Sequence, residues 1–237
     1  MKTASHQVIE LLGDTGLDFA VIDAEHAPFD RLTIDVMMVA GRAAALPLFV
    51  RLPNGDASTI LTALDLGAAG LLIPHVDTPD FAAALVSRSK YINGTRGFSR
   101  SPRAGGYGSR SQDALIADGD GCMIVCQIES ELGVNNVDAI ARTPGVDALF
   151  IGRADLAMSM RVSATSPELS NAVHRIAQAC HGAGKVLGMF VSGPAEFAAF
   201  AELGVSWCIM GSDQSMLRNG AQAGTSEFRF RYQPDRA

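Results

Sequence analysis

Two carboxylates follow apolar segments of the sequence at positions where they could hold a metal ion together. Glu129 ends the segment 126–129, and Asp155 follows the segment 148–154. If the two segments are neighbouring strands, the unpaired charges repel each other and raise the pKa of one carboxyl. A divalent cation removes that repulsion, and one or two carboxylates with water is the usual arrangement for Mg²⁺ or Mn²⁺. Spacing alone leaves an alternative open, in which Asp155 caps a helix and Glu129 forms an ion pair.

Two further side chains could act on a proton and on developing negative charge. His26 follows the segment 23–25 at the end of an apolar run, where a histidine is a candidate general base. Asp65 is a candidate partner that would fix the tautomer of this histidine. Arg51 ends the run 46–51. A guanidinium there needs an anion, which is either a substrate carboxylate or enolate, or one of the neighbouring acids.

Short apolar runs alternate with amphipathic stretches along almost the whole chain. The runs are continuous, as expected for strands buried on both faces of a parallel sheet, and the stretches between them have helical spacing. The seven runs lie at 19–23, 46–51, 71–76, 123–128, 148–151, 186–191 and 205–210. Repeated β-α units of this kind predict an α/β fold, either a (β/α)8 barrel or an open doubly wound sheet.

Polar residues at the ends of many runs favour the barrel, because its strands converge on one mouth where active sites lie. An open sheet would spread the same residues along an edge. The chain also lacks a GxGxxG turn after an early strand, so no nucleotide cofactor is expected. We therefore predict one (β/α)8 TIM-barrel domain over residues 1–237, with a C-terminal tail at about 218–237.

The predicted barrel lacks a first strand. The chain opens with a helical pattern at 8–12, so the first strand is missing or truncated, or another segment takes its place. The segment 227–232 alternates Phe or Tyr with Arg and is one candidate, although this alternation suits a half-exposed strand better. The segment 91–120 is rich in Gly, Ser and Arg and is predicted to be a long βα loop at the mouth.

Composition excludes several classes of function. The chain of 237 residues has 19 basic and 25 acidic side chains and a net charge of −6, which argues against a nucleic-acid partner. No apolar run approaches the ~20 residues of a membrane helix, and the start lacks the apolar stretch of a secretory signal. The four cysteines form no CxxC pair and are expected to be buried, reduced thiols. We expect a cytoplasmic globular protein without a membrane partner.

Five short motifs occur in one order along the chain. They are DAEHAP at 23–28, RLP at 51–53, GTRG at 94–97, QIE at 127–129 and GRADL at 152–156. Together they closely resemble the metal-dependent class II pyruvate aldolases of the HpcH/HpaI type, which include 4-hydroxy-2-oxoheptanedioate aldolases. The resemblance covers about residues 5–217. Each motif alone is weak, but five in register at strand ends are fairly specific.

The resemblance implies a (β/α)8 barrel that assembles as a homo-hexamer, a trimer of dimers. It implies a divalent metal held by Glu129 and Asp155, with pyruvate bound by Gln127 and by the backbone around Ala154 and Asp155. Mg²⁺, Mn²⁺ and Co²⁺ all suit two carboxylates and water. The chain departs from the family at Arg153, where proline is usual, and this places an extra cation near the mouth.

The resemblance also implies a reaction. His26, oriented by Asp65, would remove a proton from pyruvate or a related 2-oxo acid such as hydroxypyruvate, and Arg51 with the metal would stabilise the enolate. The enolate would add to an aldehyde to form a 4-hydroxy-2-oxo acid, and cleavage would be the reverse. A Schiff-base lysine is not expected, because no lysine lies clearly at the predicted mouth; the three are Lys2, Lys90 and Lys185.

Two other functions stay open. One is a citrate-lyase-like enzyme that cleaves a CoA ester, although the chain shows no extended basic region for the CoA phosphates. The other is a non-catalytic barrel that binds a partner. The joint presence of the five polar candidates argues against the second alternative. Metal-dependent proton exchange of pyruvate would separate an aldolase from a barrel without catalytic activity.

Overall fold

The centre of the protein is a parallel β-sheet. The computed structural model describes residues 1–232. In them, seven strands pair in chain order, each parallel to the next. Each strand overlaps one of the predicted apolar runs, so the count of seven is confirmed. The strands are β1 (Ala20–Asp23), β2 (Leu48–Arg51), β3 (Gly70–Ile73), β4 (Met123–Ile128), β5 (Ala148–Ile151), β6 (Val186–Val191) and β7 (Val205–Met210).

Helices connect the strands, and polar caps begin many of them. The side chains of Ser5, Thr78 and Ser166, for example, accept backbone N–H groups of the first turns that follow. No helix among residues 1–232 has the length and apolar character needed to cross a membrane. The helices are α1 (His6–Gly13), α2 (Arg31–Ala43), α3 (Ala57–Asp65), α4 (Pro79–Ser89), α5 (Gln112–Asp120), α6 (Glu131–Asn135), α7 (Val137–Arg142), α8 (Arg153–Met160), α9 (Pro167–Gly182), α10 (Pro194–Ala201) and α11 (Asp213–Tyr232), with a 3₁₀ helix at Arg103–Gly108.

The two faces of the sheet bury different cores, because successive strand residues point to opposite sides. The larger core lies between the sheet and the helices. The smaller core draws on strands from both edges of the sheet and consists of Val21, Phe49, Leu72, Val125, Ala148, Phe150 and Trp207. Trp207 of β7 stacks on Phe19 beside β1, with ring centroids 4.6 Å apart. The sheet therefore curls until its first and last strands approach each other.

The prediction of a closed (β/α)8 TIM barrel is wrong. The described residues form seven strands, and β1 and β7 are the two open edges of the sheet. Residues 1–3 form hydrogen bonds to β1 and to Asp213 after β7, but they are not a strand among the described residues. The backbone N of Met1 donates to Val21 O at 2.6 Å, and Asp23 N donates to Met1 O at 3.0 Å. On the other side, the Asp213 carboxylate accepts the N–H groups of Lys2 and Thr3 at 2.7 and 2.9 Å.

The candidate tail strand at 227–232 is also wrong, because these residues end helix α11. Side chains four residues apart meet there, as they do on a helix. Arg231 lies 2.6 Å from Glu227, and the rings of Phe228 and Tyr232 are 5.1 Å apart. Residues 233–237 of the predicted tail lie outside the described part of the chain.

The segment 91–120 does not form a βα loop at the mouth. It follows helix α4 and leads into β4, so it connects at the amino ends of the strands, and it contains the 3₁₀ helix and α5. Three of its four arginines pair with acids of the protein, and Arg100 donates to the carbonyl oxygen of Gly108. Arg96 lies 3.2 Å from Asp65, and Arg103 pairs with Asp35. Composition does not show at which end of the strands a loop lies, and arginines can pair with acids of the protein as well as with a ligand.

Candidate active site

A cavity of about 440 Å³ opens at the carboxyl ends of the strands. A volume of this size suits a small-molecule ligand. Five of the seven predicted site residues line it: His26, Arg51, Gln127, Ala154 and Asp155. The fold thus brings together residues that are up to 129 positions apart in the sequence.

The floor of the cavity contains an ion-paired arginine. Asp23 and Arg51 face each other in the pairing of β1 with β2. Arg51 Nε donates to Asp23 Oδ1 at 2.9 Å and Nη2 to Oδ2 at 2.7 Å, while Nη1 lies 3.2 Å from Glu25 Oε2. Burial disfavours the charged form of Asp23, but the hydrogen bonds and charge of Arg51 outweigh it and lower the pKa of that carboxyl to about 2. The guanidinium is therefore fixed in place by acids of the protein itself.

His26 is positioned by the same aspartate. Asp23 Oδ1 accepts the backbone N–H of His26 at 3.2 Å, which fixes the turn that follows β1. The carboxylate nearest to the imidazole is that of Glu25, 3.6 Å from Nε2. Asp65 lies at the last residue of α3 and pairs with Arg96, so the structure does not bring it to His26. The imidazole faces the cavity with about half of its side chain exposed.

Glu129 lies just beneath the cavity surface. It is buried, its carboxylate accepts a hydrogen bond from the Gln127 amide, and it accepts the backbone N–H of His75 at 2.8 Å. Burial raises the pKa of the Glu129 carboxyl, and the charge of Asp155 acts in the same direction. Gly152 packs so closely that a Cβ there would lie 2.7 Å from the Glu129 side chain, so only glycine fits.

The carboxylate oxygens around Glu129 fit a divalent cation. Ligand atoms of Glu25, His75 and Glu129 all lie within 4.8 Å of one another. His75 Nδ1 is 3.0 Å from Glu129 Oε1, and His75 Nε2 is 3.6 Å from Glu25 Oε1. The buried Oε1 of Gln127, two residues before Glu129, has no hydrogen-bond partner among the described residues. Carboxylate oxygens suit Mg²⁺, Mn²⁺ or Co²⁺, and an imidazole would add a nitrogen ligand that favours Co²⁺ over Mg²⁺.

Asp155 and Ala154 lie in the first turn of helix α8. The N-cap of this helix is Gly152, so Asp155 is not the cap that one interpretation of the sequence required. The first backbone N–H groups of a helix have no acceptor within the helix and favour an anion. This turn therefore offers donors to a carboxylate in the cavity, beside the Asp155 side chain.

Three residues at the site were not among those predicted from the sequence. Lys2 lines the cavity, with its Nζ 3.3 Å from Asp23 Oδ2, because residues 1–3 fill the gap between the sheet edges. Glu196 of α10 also lines it, 3.2 Å from Arg153. His75 follows β3 with a φ of 55°, a conformation that is unusual outside glycine and frequent at functional sites. Its position after a strand was the one available signal.

Comparison with known proteins finds one aldolase family that matches nearly the whole chain. Residues 1–220 match the family model described as HpcH/HpaI aldolase/citrate lyase. A 5-keto-4-deoxy-D-glucarate aldolase from Salmonella arizonae is 36% identical over 229 residues, which are 95% of this chain and 89% of the relative. A protein of the same name from Escherichia fergusonii is 35% identical over 223 residues, covering 93% and 87% of the two chains.

Solved structures of HpcH/HpaI proteins have a similar fold. The crystal structure of an HpcH/HpaI aldolase/citrate lyase family protein from Burkholderia cenocepacia superposes with a TM-score of 0.92 and 33% identity, covering 97% of this chain and 92% of the other. An HpcH/HpaI aldolase from Desulfitobacterium hafniense shares the fold, with a TM-score of 0.89, 23% identity and coverage of 96% and 89%. The chain is therefore a member of the HpcH/HpaI aldolase/citrate lyase family and a class II aldolase.

Proposed function

We propose that this aldolase adds the enolate of pyruvate, or of a related 2-oxo acid such as hydroxypyruvate, to an aldehyde, and cleaves the resulting 4-hydroxy-2-oxo acid. One observation carries the proposal: a single cavity gathers a fixed arginine, a histidine and the first turn of α8 above a buried glutamate. The names of the 5-keto-4-deoxy-D-glucarate aldolases support a 2-oxo acid of this kind.

Glu129 and Asp155 are the proposed metal ligands, and His75 and Glu25 lie where they can complete the set. A divalent cation bound there would act as a Lewis acid on the carbonyl of the 2-oxo acid. We propose that this cation is Mg²⁺, Mn²⁺ or Co²⁺. Gln127 and the backbone N–H groups at Ala154 and Asp155 would bind the substrate carboxylate and hold it against the metal site.

The residues of the chain then divide the reaction between them. His26 would take a proton from the carbon next to the carbonyl group. Arg51, held by Asp23 and Glu25, would donate to the oxygen on which negative charge develops, without reorganising as the charge appears. The nucleophilic carbon forms a bond to the aldehyde carbon, and the new alkoxide takes back a proton from His26. Cleavage reverses these steps.

The test is deuterium exchange of the pyruvate methyl group, followed by NMR with EDTA and with added Mg²⁺, Mn²⁺ or Co²⁺. This half-reaction needs no knowledge of the aldehyde. We expect exchange that EDTA abolishes and a divalent cation restores. A folded protein that exchanges no methyl protons with any of these metals would disprove the proposed enolisation.

We also propose a homo-hexamer built as a trimer of dimers. Helix α2 exposes an apolar stripe at Leu32, Val36 and Val39, and helix α11 exposes Phe228 and Phe230. Exposed apolar faces of this kind are typical of subunit contacts. Light scattering during size-exclusion chromatography should give six times the mass of the 24.9 kDa chain. A mass of one chain at micromolar concentration would contradict the hexamer.

A further inference from the structure

The cavity wall contains a cation, Arg153, to which the proposed reaction gives no role. It lines the cavity from the first residue of α8, with about a third of its side chain exposed. Its Nη2 lies 3.2 Å from Glu196 Oε1. Its Cζ lies 5.2 Å from the centroid of the Phe200 ring, within the range of a cation–π contact.

Arg153 differs from the other cavity cations in how far its hydrogen-bonding capacity is used. Arg51 has both edges of its guanidinium on two carboxylates. Lys2 faces the same aspartate as Arg51. Among residues 1–232, Arg153 has one carboxylate contact, through one terminal nitrogen. A guanidinium has five N–H donors, so most of those of Arg153 are left for a ligand.

The arginine is nevertheless held firmly. Glu196 Oε2 accepts both the backbone N–H and the hydroxyl of Ser192, each at 2.7 Å. These hydrogen bonds lower the pKa of Glu196, with the charge of Arg153 acting in the same direction, so the carboxylate stays ionised. Phe200, on the same helix as Glu196, supports the guanidinium plane. Helices α8 and α10 together thus hold the guanidinium group of Arg153 on the wall of the cavity in which we propose that enolisation takes place.

We infer that Arg153 is a specificity-determining residue that binds a carboxylate group carried by the aldehyde, with Glu196 as its positioning residue. The inference rests on the proposed function. Arginine matches a carboxylate with two parallel hydrogen bonds, which a hydroxyl or methyl group cannot form. The aldehyde carbon would lie at the nucleophile, and its charged end would lie on Arg153.

The experiment compares acidic and neutral aldehydes of equal length in the wild-type protein and in Arg153→Met. Glyoxylate is paired with glycolaldehyde, and succinic semialdehyde with butanal. We expect the substitution to lower kcat/KM for the acidic member of at least one pair about 10–100-fold, the value of a charge-assisted hydrogen bond. The neutral members and the rate of pyruvate methyl exchange should stay within about 2-fold of wild type.

Two further variants separate binding from positioning. Glu196→Gln keeps the shape but loosens the fork, so it should raise KM for the acidic aldehyde and leave kcat nearly unchanged. Arg153→Lys keeps the charge without the planar fork and should restore part of the loss. Arg175→Met is the matched control, since Arg175 has one carboxylate partner at 3.1 Å but does not line the cavity.

The outcomes are distinct. If wild type exchanges pyruvate protons and Arg153→Met leaves the ratio of acidic to neutral kcat/KM unchanged for both pairs, the inference fails and the proposed function stands. If Arg153→Met lowers methyl exchange in parallel with aldehyde addition, Arg153 acts on the donor and the inference also fails. If wild type exchanges no protons, the proposed function fails and the inference falls with it.

Discussion

Arg51 and Asp23 are direct partners in the pairing of β2 with β1, and their side chains form a two-point ion pair at the carboxyl ends of both strands. The pair links the fold to the site. It ties the first strand to the second, and it fixes the guanidinium that lines the cavity. The same aspartate shapes the turn that carries His26.

This pair predicts a pH-dependent stability. The pKa of Asp23 is about 2 in the folded protein and 3.8 in a model peptide, so its contribution is present above pH 3.8 and is lost as the pH falls towards about 2. The shift corresponds to about 2 kcal/mol. Urea unfolding should show wild type to be more stable than Asp23→Asn at pH 6, with the difference shrinking below pH 4. A difference that does not change with pH would contradict this assignment.

Replacing Arg51 should affect catalysis more than substrate binding. Arg51→Lys keeps a charge near Asp23 but loses the fork, so we expect kcat to fall on the order of 100-fold while KM for pyruvate changes little. Steady-state kinetics measure both. Arg88→Lys is a control outside the cavity, where Arg88 donates to Gly55 O at 2.7 Å. An unchanged kcat in Arg51→Lys would make Arg51 a structural residue.

The proposed metal ligands can be tested with isosteric variants. Glu129→Gln and Asp155→Asn each remove one negative charge from the proposed site without changing its shape. Metal-dependent methyl exchange should fall by at least about 100-fold, and calorimetry should show weaker Mn²⁺ binding. Circular dichroism should show the fold to be intact. The exposed Glu131→Gln is the nearby control, and full activity in Glu129→Gln would refute the assignment.

His75 predicts a difference between metals. An imidazole ligand favours Co²⁺, whereas Mg²⁺ prefers oxygen ligands. His75→Asn should therefore weaken Co²⁺ binding about 10-fold and alter the visible spectrum of the bound Co²⁺, with little effect on Mg²⁺. His174→Asn, on the outer helix α9, is the control. Identical Co²⁺ spectra of wild type and His75→Asn would show that His75 does not bind the metal.

Asp213 predicts a stability defect where residues 1–3 meet the segment after β7. Its carboxylate accepts the N–H groups of Lys2 and Thr3, and Asp213→Ala leaves both without these partners. We expect a loss of about 1–3 kcal/mol in the free energy of unfolding, measured with urea. Asp14→Ala, at an exposed position, should change it by less than about 0.5 kcal/mol. Equal stability of the two variants would show that the hydrogen bonds of Lys2 and Thr3 to Asp213 do not stabilise the fold.

Continuous apolar runs were enough to predict the seven strands, because strands of a parallel sheet with both faces covered are rich in apolar residues along their length. Whether the sheet closes into a barrel was not predictable. It depends on whether a chain segment in space between β7 and β1 pairs with both strands. Met1 is bonded to β1, and Lys2 and Thr3 are bonded to Asp213, without an eighth strand among the described residues. The prediction of a strand at 227–232 was wrong for a related reason. Alternating Phe and Arg is compatible with a strand, but side chains four residues apart pair in the structure, as in a helix.

The candidate site also has residues whose positions could be predicted from the sequence and residues whose positions could not. Arg51 ends β2, and His26 and Asp155 come shortly after β1 and β5, so their convergence could be predicted from topology alone. Asp65 lies at the far end of a helix, where sequence spacing gives no information about its partner, and Arg96 takes it. Lys2 reaches the cavity through a gap that no local pattern encodes.

Helix α11 has twenty residues, and Asp213 is the one that is buried. Helices gain most of their stability by packing an apolar face, and an isolated helix of this length is marginal in water. In a lone chain, α11 and the sheet are thus two cooperative units of unequal stability, joined at Asp213. Backbone amides along α11 should exchange with solvent at a much lower opening free energy than those of β3 or β4. We therefore expect heating of a lone chain to reduce the helical signal in circular dichroism before the sheet unfolds.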